Sequence, residues 1–535
     1  MKPQILLAFL ILFFLGEVSI ANAKDVVFKE KCFIVDKSVD LNGDVIILPQ
    51  SSILQFKSSG KIYNGKIIGN GTSIKGAQVN SIGTVLEGTW AQTNILDIWF
   101  NSEFLSDNDI IDNIITLQND GIKQEIIIQR DYLIEFKGTR SIGLSLSSNT
   151  KLKLHSTLSV KPNRLAGYSI IDISNKVNVT IDGGLVKGDV GSHYYVDGTT
   201  SEWGFGVHVS NSENIIIENT EMSFCIGDGV YVGGIAESTE GDYAHASRKI
   251  TIKNCKFDSN RREAISLVHA ENVVIDGCAV YNMGQVEYTP PSFGINIEPN
   301  KKQSVRNVLI RRFKTFNSKP DISFSSSAYR FENGRSNRGN IVLEECSFDK
   351  GVAIKSGDVR LVKCDMKKVV IYTTNMIDDN VIFDNCIISG GDGIRFDGQT
   401  TLDMSLPLPY YCFRNCSISA NSIFRTKPGL IWSLDADKIN AKLRFEKCDI
   451  SLLPSLGKNN VISDGFNIDC CFDACKIDSK EYAFAPKGLT FKKCSIKCQY
   501  IDGSTINKKG LLENCKIETT HPNTRILNAD GVIIK

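Results

Sequence analysis

The chain has 535 residues, with 61 Lys+Arg against 60 Asp+Glu, 42% hydrophobic residues, 43 Gly and only 13 Pro. A net charge of +1 leaves no overall electrostatic footprint for nucleic acid, and the hydrophobic content excludes bulk disorder. This length suits several ordinary domains or one elongated repeat architecture.

Residues 1–23 read as a secretory signal peptide. Lys2 supplies the positive start, Ile5 to Leu15 an uninterrupted apolar run, and Ala21-Asn22-Ala23 a small-x-small cleavage site. Eleven apolar residues fall short of the roughly 20 that cross a bilayer. The expectation is an exported chain, periplasmic or extracellular, starting near Lys24 and making no membrane contact after cleavage. Residues 24–98 follow as short strands between Gly and Asn turns ("VDLNGDVIILPQSSILQFKSSGKIYNGKIIGNGTSIKG"). Residues 99–122 carry "SDNDIIDNIITLQNDG", a predicted helix. Asp107 or Asp109 would cap it, Ile110, Ile111, Ile114 and Ile115 would form its apolar face, and Gly121 would end it. Such a helix suits the cap that the open end of a solenoid needs.

From residue 123 onward one grammar repeats. "ITIKNCKF", "VVIDGCAV", "IVLEECSF", "VRLVKCDM", "VIFDNCII", "YCFRNCSI", "LRFEKCDI", "LTFKKCSI" and "GLLENCKI" each pair an alternating strand with a Cys-x-hydrophobe corner. Steps such as Cys255 to Cys278, Cys364 to Cys386 and Cys494 to Cys515 cluster near twenty residues. Period-two alternation within a twenty-residue repeat predicts an all-β fold, a solenoid of the parallel β-helix type with an N-terminal β/α cap. Residues 123–340 would form the section bearing a carbohydrate cleft, and 341–535 the C-terminal coils with a Cys ladder. Cysteines in one inward ladder all point the same way, which disfavours disulfides and favours buried free thiols. Asn178, Asn214, Asn272 and Asn307 open successive strands and read as corner residues.

Equivalent positions on neighbouring coils locate the candidate site. Asp228 lies 14 residues after Asn214, and Glu263 lies 14 after Lys249. Alternation sends Val207, Val230, Ile265 and Ile295 inward, and His208, Tyr231, Ser266 and Asn296 outward. Asp228, Glu263 and Glu298 are the acid/base candidates. Asp189, His193, Glu202, Trp203, His208, Tyr231, Arg261, Arg262 and Asn296 are the substrate-binding candidates. Carboxylates, Arg and aromatics on one face suit a sugar: rings stack on pyranose faces, and a carboxylate pair supplies acid and base. The competing reading makes Asp228 an ordinary turn residue between glycines. No cofactor is implied, nothing in the sequence indicates Ca2+, and no CxxC pair is followed by a second at zinc spacing, Cys412 and Cys416, Cys471 and Cys475, and Cys494 and Cys498 being the nearest approaches. The oligomeric state is open.

"GDVGSHYYVDGTTSEWGFGVHV", "GDGVYV", "NRREAISL" and "GINIEPN" together resemble secreted bacterial β-helix proteins of the pectate-lyase-like superfamily, as found in gut Bacteroidetes. The resemblance implies this fold in its right-handed, single-stranded parallel β-helix form and a polysaccharide or oligosaccharide partner, but no particular reaction. The chain departs from that pattern at Val190 (Arg in relatives), Glu263-Ala264 (Gln-Gly) and Asn296 (Asp). The leading expectation is a glycoside hydrolase or polysaccharide lyase. Its alternative, which Asn296 favours, is a non-catalytic glycan-binding or surface-structural β-helix.

Overall fold

The computed structural model describes residues 27–29, 31–239, 242–328, 335–355, 357–373, 380–398, 408–420, 441–452, 469–484, 489–501, 511–519, 529–530 and 533–534. The expected signal peptide lies outside them. The chain divides into two compact units, one ending at Val230 and one beginning at Tyr231.

The N-terminal unit opens with Val27–Lys29 antiparallel to Cys32–Val35, and parallel pairs follow. Cys32–Val35 pairs with Ile53–Phe56, which pairs with the long strand Lys61–Lys75, and that strand pairs with Ile82–Trp90. The helix Asp107–Leu117 lies against this opening sheet. Its Asn113 amide donates to the Thr84 carbonyl, and its carbonyl oxygen accepts from the Leu86 N–H. Ser106, not Asp107, is the N-cap. Its hydroxyl accepts from the Asp109 N–H while the Asp109 carboxylate accepts from the Ser106 N–H, a reciprocal capping box. The helix stops at Leu117, before Gly121, where the Gln118 backbone turns extended (φ −75°, ψ 152°) and its side chain bonds the Ser145 carbonyl and the Ser147 N–H.

Beyond the helix each coil contributes three strands to three parallel sheets. Gln124–Ile128, Thr150–Leu154, Val177–Asp182 and Glu213–Glu218 stack in one. Tyr132–Ile134, Thr157–Val160, Leu185–Lys187 and Glu221–Ser223 form the second. Ile142–Ser145, Gly167–Ser174 and Trp203–Ser210 form the third. The C-terminal unit repeats the scheme as far as Lys314–Phe316, the last strand of the second sheet; among the described residues, later coils contribute two strands each, such as Asp358–Val362 and Asp365–Thr373. Ser247–Lys253, Ala270–Asp276, Val305–Arg311 and Arg338–Glu344 stack in order, as do Glu263–Leu267, Phe293–Ile297, Ile322–Ser326 and Gly351–Lys355. Both units are parallel β-helices.

The corners explain the repeat. Asn178, Asn214, Asn272 and Asn307 all sit at positive φ, where Asn is among the few residues that fit without strain. Their amides also run between coils: Asn178 donates to Asn149, Asn214 to Asn178, and Asn307 to Asn272. A second positive-φ corner directly precedes the repeating cysteines, as at Asn254, Lys363, Asn385, Asn415, Lys447, Ala474, Lys493 and Asn514. The kink turns the chain inward, so the next side chain, Cys, is buried. Its thiol donates to carbonyls of its own and the preceding coil; Cys386 Sγ lies 3.5 Å from both Leu361 O and Asp384 O. All sixteen cysteines are free thiols. Beside the thiols runs a stack of Phe383, Phe413, Phe445, Phe472 and Phe491, with ring centroids 4.5 to 5.0 Å apart and nearly parallel.

Candidate functional site

In the N-terminal unit, Gly167–Ser174 and Trp203–Ser210 pair so that Gly167 lies opposite Trp203 and Asp172 opposite His208. Val207 and Val209 enter the core, as alternation requires. Trp203 stands 51% exposed, the edge of Phe205 meets its ring at 6.5 Å, and Phe205 stacks on His208 at 5.4 Å. His208 Nδ1 lies 2.8 Å from Asp172 Oδ1. A carboxylate offers only acceptors, so Nδ1 carries the proton. Sequence reasoning missed Asp172, although "GYSIIDIS" presents it one coil earlier at the His208 register. Glu202 is half-buried.

Asp189 and His193, expected to contact a ligand, are instead fully enclosed. Asp189 Oδ1 accepts from the Tyr168 hydroxyl at 2.6 Å. Its Oδ2 accepts from the Asn163 N–H, the Asn163 amide and His193 Nδ1, at 3.0 to 3.1 Å. Burial, and then the Asp189 charge, push the Tyr168 hydroxyl well above its ordinary pKa, so it remains a donor. Asp228, expected as an acid/base group, has no solvent exposure, and its carbonyl accepts from the Gly206 N–H.

In the C-terminal unit, Glu263–Leu267 pairs with Phe293–Ile297, setting Ser266 against Asn296 and Ile265 against Ile295. The two isoleucines are buried, as predicted. Glu263 was expected to be catalytic but is also wholly buried. The Asn296 amide nitrogen donates to its Oε1 at 2.7 Å, and the Ser266 hydroxyl donates to its Oε2. Arg262, 8% exposed, reaches both neighbouring carboxylates. Its Nη2 lies 3.1 Å from Glu298 Oε1 and 3.9 Å from Glu263 Oε1. The two glutamates therefore share one guanidinium, and only Glu298, with a side chain 30% exposed, meets solvent. Arg261 and Tyr231 are half-buried.

Asn296 and Glu298 line a cleft of about 340 Å3 with Pro291, Phe293, Ile322, Ser325, Ser326, Ser327, Ala353, Lys355 and Tyr372. The lining crosses successive coils in register: Asn296 beside Ser325, Ser325 beside Ala353, and Lys355 beside Tyr372. Small residues in the middle of the row leave the dent, and larger ones close its ends. The Asn296 amide orientation follows from its partner. Glu263 can only accept, so the nitrogen faces inward and Oδ1 faces the other way; that oxygen is buried without a hydrogen-bond partner. The sequence pointed to Asn296 and Glu298. It gave no signal for Lys355 and Tyr372, which lie among coils showing only the generic repeat.

A second missed cluster surrounds Glu237. Its carboxylate accepts from the His245 N–H at 2.7 Å, from His245 Nδ1 at 3.0 Å and from His269 Nε2 at 3.0 Å. The Ser304 N–H donates to His269 Nδ1, which leaves the His269 proton on Nε2. Burial acts to raise the Glu237 pKa, yet the His245 and His269 hydrogen bonds outweigh it and bring it down to about 2. Among the described residues, no group of three or more His, Cys, Asp or Glu is arranged to hold a metal ion.

No protein-family model matches the chain. Over 164 residues it is 31% identical to the uncharacterized protein YclG of Bacillus subtilis, a match spanning 30% of this chain and 28% of that one. Over 163 residues it is 32% identical to the SPbeta prophage-derived uncharacterized protein YorA of the same bacterium, covering 29% and 28%. The chain thus spans less than a third of the length of these relatives. Among solved structures, it is similar to a tailspike protein of E. coli bacteriophage HK620 in complex with hexasaccharide. The TM-score is 0.51 at 11% identity, over 80% of this chain and 78% of that one. At that identity the likeness establishes the fold, a parallel β-helix.

Proposed function

We propose that the protein binds a polysaccharide through the Pro291–Tyr372 cleft, as an exported member of the polysaccharide-active β-helix proteins. The observation that carries this reading is the cleft itself, about 340 Å3 in volume, where Asn296, Glu298, three serines, Lys355 and Tyr372 line successive coils in register beside Phe293. Ser325, Ser326, Ser327, Lys355 and Glu298 supply further donors and acceptors, while Phe293 and Tyr372 supply flat apolar surface. The tailspike that shares the fold is itself in complex with a hexasaccharide, which supports the ligand class.

The cleft favours binding over hydrolysis. Hydrolysis needs two carboxyl groups at the scissile bond, one of them held protonated. Glu298 alone reaches the lining, Glu263 is sealed behind Asn296, and Asn296 itself carries no carboxylate. A catalytic reading retains one specific support: Glu298, Lys355 and Tyr372 face the same cleft, a carboxylate with an amine and a phenol that could move a proton in β-elimination.

The test is native electrophoresis through gels cast with plant, host and microbial polysaccharides, with parallel assays for new reducing ends and for the ultraviolet absorbance of a new double bond. Retardation by at least one polysaccharide, lost in Asn296→Ala, is the expected outcome. Reducing ends alone would convert the reading to hydrolysis, and both signals together to elimination. An Asn296→Ala protein retarded like the parent would overturn the cleft assignment. A mature secreted chain beginning near Lys24, read by mass spectrometry, tests the proposed export.

A further inference from the structure

The buried Asp189 cluster has no ligand to meet, yet it holds an unusually aromatic surface excursion in place. Residues 188–202 leave the sheets between Leu185–Lys187 and Trp203–Ser210. Four large hydrophobics at or just beyond the excursion stay exposed: Tyr194, Tyr195, Val196 and Trp203. Tyr194 and Trp203 both hang on the short segment 163–166, the Tyr194 N–H donating to the Asn163 carbonyl and the Trp203 N–H to the Ala166 carbonyl at 3.2 Å, and exposing aromatic area there has a cost that recognition surfaces characteristically bear. Stray loop residues would be free to fold back. These are not. Asn163 ties the excursion to the coil below, donating twice to Asp189 and accepting from the Tyr194 N–H at 2.9 Å. His193, adjacent to Tyr194, is pinned to the same carboxylate, and the Tyr195 hydroxyl donates to the Val190 carbonyl at 3.1 Å.

The ring orientations are fixed as well. The Arg164 guanidinium lies over Tyr194, 5.8 Å from the ring centroid. Trp203 is a strand residue, braced edge-on by Phe205, and its neighbour in register is Gly167. A methyl group at Gly167 would fall 2.6 Å from Trp203 Cβ, so the glycine gives the Trp203 side chain room and leaves its flank without a covering neighbour. Rigid aromatic rings interleaved with Arg164 and Glu202 suit an amphipathic ligand, whose C–H face stacks while its hydroxyls find polar partners.

We propose that Tyr194 and Trp203 form a second sugar-stacking platform on the N-terminal unit, with Asp189 as its positioning residue. This inference rests on the polysaccharide reading of the cleft, but it concerns a separate surface. It also gives the enclosed Asp189–His193 pair a role that direct ligand contact does not: the pair holds the rings that do the contacting.

The experiment uses the full mature chain in gels cast with xyloglucan, laminarin, pectin, alginate or glycogen. Trp203→Ala and Tyr194→Ala replace exposed side chains, so both should melt like the parent. Each is expected to weaken retention by the best-bound polysaccharide about three- to tenfold. Asp189→Asn is expected to weaken it similarly, and to leave binding of a tetrasaccharide of the same polymer to the cleft unchanged, which a general loss of structure would not do. Polysaccharide should also protect Trp203 fluorescence from acrylamide quenching. Asn296→Ala reads the cleft separately. If it alone loses retention, the platform is overturned and the cleft stands; if only the Trp203 and Tyr194 variants lose it, the platform stands without the cleft. Retention by none of the five polymers overturns the platform. So does a Trp203→Ala variant that turns a dimer into a monomer with retention unchanged, since the exposed rings would then be a contact between copies.

Discussion

At the scale of single residues, the candidate site is governed by what a carboxylate can and cannot do. Glu263 offers only acceptors, so it dictates which end of Asn296 faces inward and passes information to the cleft without touching it. Asn296→Asp should therefore set two carboxyl groups against each other, and one of them must hold a proton to persist there. Stability of that variant relative to the parent should fall as pH rises from 5 to 8, and paired urea midpoints across that range check it. Glu237 runs the opposite way. Its folded pKa, about 2, lies below the ordinary glutamate value, so its stabilisation is complete above that ordinary value and is lost as pH falls toward 2. Glu237→Gln should accordingly be less stable than the parent at pH 7, and the gap should close by pH 2; a gap that persists unchanged there would exclude ionised Glu237 as its source. Neither glutamate's role was legible from sequence. Spacing could place Glu263 and Asn296 on neighbouring coils, because strand alternation and register are periodic. Burial of Glu263 depends on Ser266 and Arg262 closing over it, and no periodicity encodes that.

At the scale of the element, the coil corners set the pattern. Asn occupies many of the positive-φ positions, but the corner before the thiols also holds Lys363, Lys447, Lys493 and Ala474. A left-handed conformation costs these residues about 1–2 kcal/mol, which side chains other than Gly and Asn do little to offset. Ala474→Gly should thus stabilise the protein by about 0.5–1 kcal/mol, read as a higher urea midpoint at unchanged slope. The reverse holds for Asn385→Ala. The phenylalanine stack gives a second expectation: Phe445 has a ring on each side, Phe413 and Phe472, so Phe445→Ala should cost about 3–5 kcal/mol, read as a lower urea midpoint. These elements were the legible part of the fold. Apolar alternation, the twenty-residue return of Cys and the Asn strand openings are all local and repeated, so each coil corroborates the next. The sequence offers Asp107 or Asp109 as the cap, one or three residues past the actual N-cap, because Ser106 and Asp109 cap reciprocally and the acidic partner alone looks sufficient.

At the scale of the whole molecule, sixteen thiols and no disulfide mean that packing and hydrogen bonding carry the stability. Burial lifts Cys225 and Cys470 well above the ordinary thiol pKa, so both are poor nucleophiles in the folded chain. Only Cys32 and Cys471 are partly exposed. Ellman's reagent should therefore titrate two thiols quickly in the native protein and the rest only in guanidinium. Fast reaction of many more would mean that the ladder is open. For a chain proposed to be exported, the ladder also sets a race. Before the coils stack, every thiol is exposed to the oxidants of the outer compartment, and a wrong pairing between distant cysteines would lock the chain out of register. Coil stacking has to outrun oxidation, coil by coil. Yield on secretion should then rise with whatever delays oxidation or speeds stacking, and the same chain made in a reducing cytosol should fold without that hazard.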